Sequence, residues 1–357
     1  MTGTRTRDIA IIVPARNEAD RITACLTALA GQSSARVRVI LVVNNTTDDT
    51  ADLACESAGR LGIDLSVVEC TFASHEGVGT ARRIGCDHAL HTMPGLRTLL
   101  TTDADCVVAP DWIAQNLAHL ENVDAVCGRI TPLAPEAGIL AGMDAQLGAL
   151  EGSYRRLVQD VFARHVQGHA EIAGTHGEAA GASLAVTRSA YVMAGGFAPV
   201  KCGEDRRLVR ALRRVGARVR HAGDVTVQAS CRLTGRATGG MADALRARLG
   251  SADYLIDDCL PPADWLIRQV QCSRLGPWPM LVPARLRLNV RDLPRHIEML
   301  ETFRNSEWVS PAPRMPVAPL SESHTDGAAS ESGTAIVTTV PPHQLSAQPT
   351  DPERSLT

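Results

Sequence analysis

Aromatic residues make up only 3% of this 357-residue chain, too few to build stacking platforms for single-stranded nucleic acid. Basic residues do not outnumber acidic ones. The formal net charge is −3, which argues against a nucleic-acid partner. The ten cysteines form no Cys-x-x-Cys pair and no Cys/His cluster at zinc-ligand spacing. They read as small apolar core residues of a reducing compartment. No run approaches the roughly 18 apolar residues of a membrane span, and Ile9–Val13 is too short for the apolar core of a signal peptide. The expectation is a cytoplasmic protein with no transmembrane segment.

What is present is a chain that is 45% hydrophobic, long enough for one large domain or a domain with an appendage. Strand-like runs recur at Ile9–Pro14, Val37–Val43, Leu65–Cys70 and Thr98–Thr102. Helical patterns lie between them near Glu18–Ala30, Asp48–Leu61 and Val78–Leu90. Strands alternating with helices of this length predict βαβ crossovers and a mostly parallel sheet. Thr47 is the expected N-cap of the second helix, with Asp48 and Asp49 in its first turn. Pro110 suits the first turn of a helix through Leu120, and Val123–Ile130 resumes a strand. Helical spacing of Leu140, Met143, Leu147, Leu150, Tyr154 and Leu157 predicts a helix over Ile139–Val166 with that stripe in the core. A strand at Ala182–Thr187, a helix at Arg206–Val215 and strands at Arg218–His221 and Val225–Ala229 follow. Met241 to Asn305 reads as helical, and beyond Pro311 Pro, Ser, Thr, Ala and Gly predominate without periodicity. Such a composition cannot offset its ordering entropy, so a disordered tail is expected.

The chemistry-bearing residues fall at the ends of these strands, where parallel sheets open their ligand crevice. Asp103-Ala104-Asp105 closes the fourth strand, and side chains two apart on an extended segment point the same way. Two converging carboxylates repel unless a cation neutralises them, and Mg²⁺ or Mn²⁺ bridging substrate phosphates does so. A solvated turn fits the same triplet. The first strand ends Pro14-Ala15-Arg16-Asn17-Glu18 and the second Asn44-Asn45-Thr46-Thr47-Asp48. Amide and carboxylate groups there can read a base edge and ribose hydroxyls, or can simply form turns and caps. In the third loop, running from His75, Gly77 and Gly79 precede Arg82 and Arg83. That turn lets backbone N–H groups and a guanidinium approach phosphate or sugar oxygens. Arg82 stands where a dinucleotide fingerprint needs its third glycine, and no Walker lysine follows.

The succession Val-Pro-Ala-Arg-Asn-Glu, Val-Val-Asn-Asn-Thr-Thr-Asp-Asp-Thr, Gly-Val-Gly-Thr-Ala-Arg and Thr-Asp-Ala-Asp resembles the family 2 glycosyltransferases of the GT-A fold. Gly181-Ala182-Ser183-Leu184-Ala185-Val186, Gly195-Gly196-Phe197 and Gly203-Glu204-Asp205 resemble that family's acceptor-side and Glu-Asp segments. The likeness runs from about residue 8 to 250. It implies a Rossmann-like, mostly parallel mixed sheet flanked by helices, a nucleoside-diphosphate-sugar donor, inversion at the anomeric carbon and a divalent metal. Under it, Glu18 meets the nucleotide, Asp103 and Asp105 serve ribose and metal, and Asp205, seconded by Glu204, takes the proton of an acceptor hydroxyl; the same pair also fits acids at a helix N-terminus. Asn44 and Asn45 stand where the family usually has an Asp pair, so the base is open.

Arg232 and Arg236, four apart among small residues, can close over the diphosphate, because guanidinium forks match phosphate oxygens, or can form a structural turn with exposed arginines. Arg206, Arg207, Arg210, Arg213 and Arg214 spread around more than one helical face, most of them expected to be solvated and some to attract acidic acceptors or a membrane surface. A processive enzyme's Gln-x-x-Arg-Trp is missing. The expected organisation is a glycosyltransferase domain over 1–250, with a nucleotide-binding half at 8–105 and an acceptor half at 106–250. A helical extension over 251–310 and the tail at 311–357 complete it. The acceptor stays open: a small molecule, a lipid-linked sugar or a polysaccharide. Two alternatives also stay open, a sugar nucleotidyltransferase of related architecture and a non-catalytic sugar-nucleotide binding protein. The first usually carries a Gly-x-Gly-Thr-Arg signature near its first strand, which this chain lacks; the second needs no base.

Overall fold

Every residue of β1 (Ile9–Ala15) is buried, as its unbroken apolar run requires of a strand covered on both faces. In the computed structural model, residues 8–32, 37–73, 76–236, 239–250 and 252–309 are described. The expected tail and His75 lie outside them. After β1 come α1 (Ile22–Ala30), β2 (Val37–Asn44), α2 (Thr50–Leu61), β3 (Leu65–Cys70), α3 (Val78–Thr92) and β4 (Thr98–Thr101). β1 pairs in parallel with β2 and β4, and β2 with β3. The expected crossovers are therefore present. A Cβ at Gly85 would meet Ile12 at 2.5 Å, so this glycine lets α3 lie close against β1.

The second half adds β5 (Cys106–Val108), α4 (Trp112–Leu120), β6 (Ala125–Pro132), α5 (Ala145–His165), β7 (Leu184–Thr187), α6 (Arg188–Met193), α7 (Glu204–Arg214) and β8 (Val219–Ala229). Its helical continuation is α8 (Met241–Gly250), α9 (Ala263–Gln271) and α10 (Leu293–Val309). The eight strands run β3-β2-β1-β4-β7-β6-β8-β5. β7 is antiparallel to β4 and β6, and β5 to β8, whereas β6 and β8 are parallel. Four of seven pairings are thus parallel, a mixed sheet with helices on its faces.

One core cluster includes Ile11, Val13, Leu26, Leu41 and Trp112. A second, including Ile12, Val42, Tyr191 and Leu208, follows the alternate residues of the same strands. A third joins Tyr154, Leu157 and Phe162 of α5 to Leu266, Trp278 and Leu300. Phe162 and Trp278 meet edge to face at 5.3 Å between centroids. Among the described residues no helix is long and apolar enough to cross a membrane.

Several local expectations give way to side-chain chemistry. α1 begins at Ile22, not Glu18, and Glu18 instead lies in the loop with its carbonyl accepting from Arg21 and Ile22 N–H. α2 begins at Thr50 after Asp49, because the Thr47 amide is turned to Asn17 Oδ1 at 2.7 Å and Asp48 Oδ1 takes the Thr50 amide. α4 starts at Trp112, past Pro110. The long helix starts at Ala145, where Asp144 accepts from the Gln146 and Leu147 amides. Leu140 lies in a preceding 3₁₀ segment, Ala134–Gly142, with Met143 just after it. The two expected last strands are one, β8. Its register against β6 shifts between Gly128 and Arg129, bulging the residues between Ala222 and Thr226.

Candidate active site

The Asp103-Ala104-Asp105 carboxylates come together through a turn, not along an extended strand. The Cys106 amide donates to Asp103 O at 3.1 Å, folding the chain back from β4 into β5. Burial and then the Asp103 charge raise the Asp105 pKa to about 6, with Arg232 opposing and Glu18 adding to the rise. That excess of negative charge, carried on hard oxygen donors, fits Mg²⁺ or Mn²⁺ held by Asp105 and Asp103. Cys106 Sγ lies within the same 4.8 Å group. Its buried thiol is pushed well above its ordinary pKa, and a soft donor does not suit a hard ion.

Two arginines contact this turn, one at each carboxylate. Arg82, on α3, is 3% exposed and bonds both Asp103 and Glu204. The expectation that Arg82 reaches phosphate oxygens meets a guanidinium already engaged by two carboxylates. Gly181 lies against it, where any side chain would collide with the guanidinium. Arg232 grips Glu18 with both Nη atoms, at 2.7 and 2.5 Å, and reaches Asp105 Oδ2 at 2.9 Å. Arg236 donates from Nε to Asn17 O at 3.0 Å, and Arg16 to Arg236 O at 3.4 Å. Glu136 secures the root of this arginine segment by accepting from Ser230 Oγ and the Cys231 amide.

The loops after β1 and β2 are laced together. Asp48 accepts from the Ala19 amide at 3.1 Å and from Thr50, whose hydroxyl also takes the Glu18 amide at 2.8 Å. Partial burial would raise the Asp48 pKa, yet these bonds and Arg236 lower it. Asn45, in left-handed backbone at φ 47°, spends its side-chain amide on both backbone groups of Phe72. Asn44 is buried at the end of β2, and Pro14 within β1. The glycine pair of the third loop does not open toward solvent. The Gly79 amide donates to Val200 O at 3.2 Å, and a Cβ there would lie 2.7 Å from that oxygen. These glycines therefore seat the start of α3 on the segment before α7.

Glu204 and Asp205 open α7 and differ sharply. Glu204 is 2% exposed, and burial raises its pKa to about 7 against the pull of Arg82, with Asp205 adding to the rise. Asp205 is half-buried and accepts from the Gly181 amide at 3.0 Å and from the Arg206 amide at 2.7 Å. Thr101 on β4 holds Gly181 by bonding its carbonyl at 2.5 Å. One chain of contacts thus runs from Asp103 through Arg82 to Glu204, with Gly181 placing Asp205 beside it.

Sequence reasoning missed what supports α7 from behind. Arg206 bonds Asp257 and Asp258, and Arg155 on α5 shares Asp257 at 3.2 Å. Arg213 pairs with Glu171 at 2.7 Å. Neither Arg206 nor Arg213 is the solvated charge expected of it. Adjacent acids at 257–258 in an arginine-rich half are the one signal that could have pointed there.

Residues 10–136 match the family model described as glycosyl transferase family 2. No curated protein matches the chain in sequence. Among solved structures, it is similar to Staphylococcus aureus TarS residues 1–349 in complex with UDP-GlcNAc, at 16% identity and a TM-score of 0.46, covering 85% of this chain and 73% of that one. It is similar to the mannosyltransferase PcManGT from Pyrobaculum calidifontis in complex with GDP-Man and Mn²⁺, at 19% identity and 0.48, over 87% and 77%. A third is glucosyl-3-phosphoglycerate synthase from Mycobacterium tuberculosis with Mg²⁺ and UDP, at 17% and 0.43, over 68% and 78%. Glu18, Arg82, Asp103 and Asp105 all fall within the span that matches the glycosyl transferase family 2 model.

Proposed function

We infer that the protein transfers one sugar at a time from a nucleoside-diphosphate sugar to an acceptor hydroxyl, with inversion, and depends on Mg²⁺ or Mn²⁺. The observation that carries this reading is the meeting of two carboxylate sets across one buried guanidinium: Asp103 on the donor side, Glu204 and Asp205 on the other. A binding protein needs the first set and has no use for the second. A divalent ion on Asp105 and Asp103 would supply Lewis-acid stabilisation of the leaving diphosphate. Glu18, Arg16, Arg236 and Asp48 meet around the same mouth and are assigned to the nucleotide, with Pro14 and Asn44 at the strand ends. Asn45, held by Phe72, and Gly79, bonded to Val200, are left as supports of those loops.

We assign the role of base to Asp205. Glu204 is buried against Arg82 and has no open face for an acceptor, whereas Asp205 keeps part of its surface free. The acceptor oxygen attacks the anomeric carbon as its proton passes to the Asp205 carboxylate. The bond from that carbon to the diphosphate oxygen breaks, and the electron pair leaves with the nucleoside diphosphate. One displacement inverts the centre. The free thiols of all ten cysteines suit the cytosol as the place of reaction.

A panel of UDP-, GDP-, ADP-, CDP- and dTDP-sugars tests this reading by Mn²⁺-dependent thermal stabilisation and by slow hydrolysis of the donor. One donor should raise Tm and release nucleoside diphosphate only with metal. Release of pyrophosphate from a sugar phosphate and a nucleoside triphosphate would instead mark a nucleotidyltransferase.

A further inference from the structure

Arg232 contacts Asp105, the residue to which the functional reading assigns the metal. Its guanidinium is committed twice, through a two-pronged grip on Glu18 and a single 2.9 Å contact to Asp105 Oδ2. The two carboxylates differ as partners. Glu18 is 6% exposed and holds both Nη atoms, whereas Asp105 is 20% exposed and holds one. Arg232 can therefore let go of Asp105 and stay anchored on Glu18. Its backbone is held, with the Arg232 amide donating to Ser230 Oγ at 3.2 Å and Glu136 securing Ser230 and Cys231, so the exchange is a movement of the side chain alone. Arg82 has no such freedom: it projects from within α3 and its guanidinium is closed in by Gly181.

A guanidinium and a divalent ion cannot both take the full charge of one carboxylate. With Arg232 in place, part of the Asp105 charge is already neutralised, so an incoming ion gains less there. A diphosphate changes the balance, because it offers the displaced fork a bidentate oxyanion partner beside Glu18. We propose that Arg232 is the exchangeable cation of Asp105: it pairs with that carboxylate in the ligand-free protein, yields it to the divalent ion, and turns to the diphosphate. This rests on the metal and donor assignments above. Metal and nucleotide then favour each other's binding, and by thermodynamic reciprocity the same factor operates in both directions.

The test is electron paramagnetic resonance titration of the full chain with Mn²⁺ alone, then with saturating UDP or GDP, correcting for Mn²⁺ bound to free nucleotide. For the unaltered protein, nucleotide should tighten Mn²⁺ binding by roughly 5- to 150-fold, the usual range of such coupling. Arg232→Gln should bind Mn²⁺ alone several-fold more tightly than the unaltered protein, and nucleotide should add much less. Arg232→Lys, which keeps the charge without the fork, should fall between them and guards against a misfolded glutamine variant. Equal or weaker binding of Mn²⁺ alone by folded Arg232→Gln, or undiminished coupling, overturns the exchange and leaves the metal site standing. If no protein binds Mn²⁺ with either nucleotide, the metal assignment itself falls, and the exchange with it.

Discussion

The donor mouth and the layer behind α7 are built from the same residue types and use them in opposite ways. At the mouth, Asp103, Asp105 and Glu18 crowd together at strand ends, and burial first, then an Asp103 charge that Arg232 opposes, raises the Asp105 pKa. Behind α7, Asp257 sits between Arg155 and Arg206, and despite burial those two cations hold its carboxyl far below the usual range. Charge left over marks a place that expects a ligand. Charge balanced within the chain marks a joint. Changes at the mouth should therefore cost activity with little loss of stability, and changes behind α7 should do the reverse.

The largest effect expected is that of Asp105→Ala. It removes a carboxylate from the proposed metal pair and should lower transfer by at least about 10³-fold, with Tm unchanged or raised, since crowded negative charge is relieved. Steady-state assays beside a melting curve check both halves. A variant that melts early would place Asp105 with the joints.

A smaller effect, of the opposite kind, is expected of Arg155→Met. It leaves Asp257 with Arg206 alone and should destabilise the fold by roughly 1–3 kcal/mol, measured by urea unfolding. The kcat of the folded fraction should change less than about twofold. A large fall in kcat with full stability would move Arg155 into the site.

The gentlest test is pH. Burial first and then Arg213 lower the His169 pKa to about 4 and the His221 pKa to about 3. His221 donates from Nδ1 to Glu178 O, and His169 Nε2 accepts from the Trp278 amide at 3.1 Å. An unfolded histidine takes up its proton near pH 6.5, whereas these two stay neutral in the fold. The unfolded chain thus binds more protons below that point, and stability is lost as pH falls from about 6.5 toward 4. Melting at pH 7.5, 6 and 5 should show this decline, and His221→Asn should flatten it. A profile flat to pH 5 would mean that the histidines are not held neutral.

How much was legible in the sequence follows the same division. β1, β4 and most of β2 read correctly because an apolar run records burial on both faces. The partly buried edge strand β3 read from its place in the strand–helix alternation, and the loops at the strand ends announced themselves by residue type. What a charge is paired with did not read. Arg82 and Glu204 are 122 residues apart, and Arg232 and Glu18 are 214 apart. No local pattern encodes such a pairing. Arg206 and Arg213 look like any surface arginine in sequence, and only their pairing with distant acids, Asp257 and Asp258 for the first and Glu171 for the second, turns them inward. The Asp-Ala-Asp turn misled in a different way, since spacing of two suggests a strand but the Asp103 carbonyl closes a turn on Cys106.

The most direct test of the central claim is the kinetics of Asp205→Asn on the donor selected from the panel. The substitution keeps the size and can still accept from the Gly181 amide, but it cannot take the acceptor proton. Donor KM should stay within about twofold while kcat falls by roughly 10²- to 10⁴-fold, the mark of an interaction made chiefly in the transition state. Wild-type kcat in Asp205→Asn, with Glu204→Gln dead yet fully folded, would contradict the account.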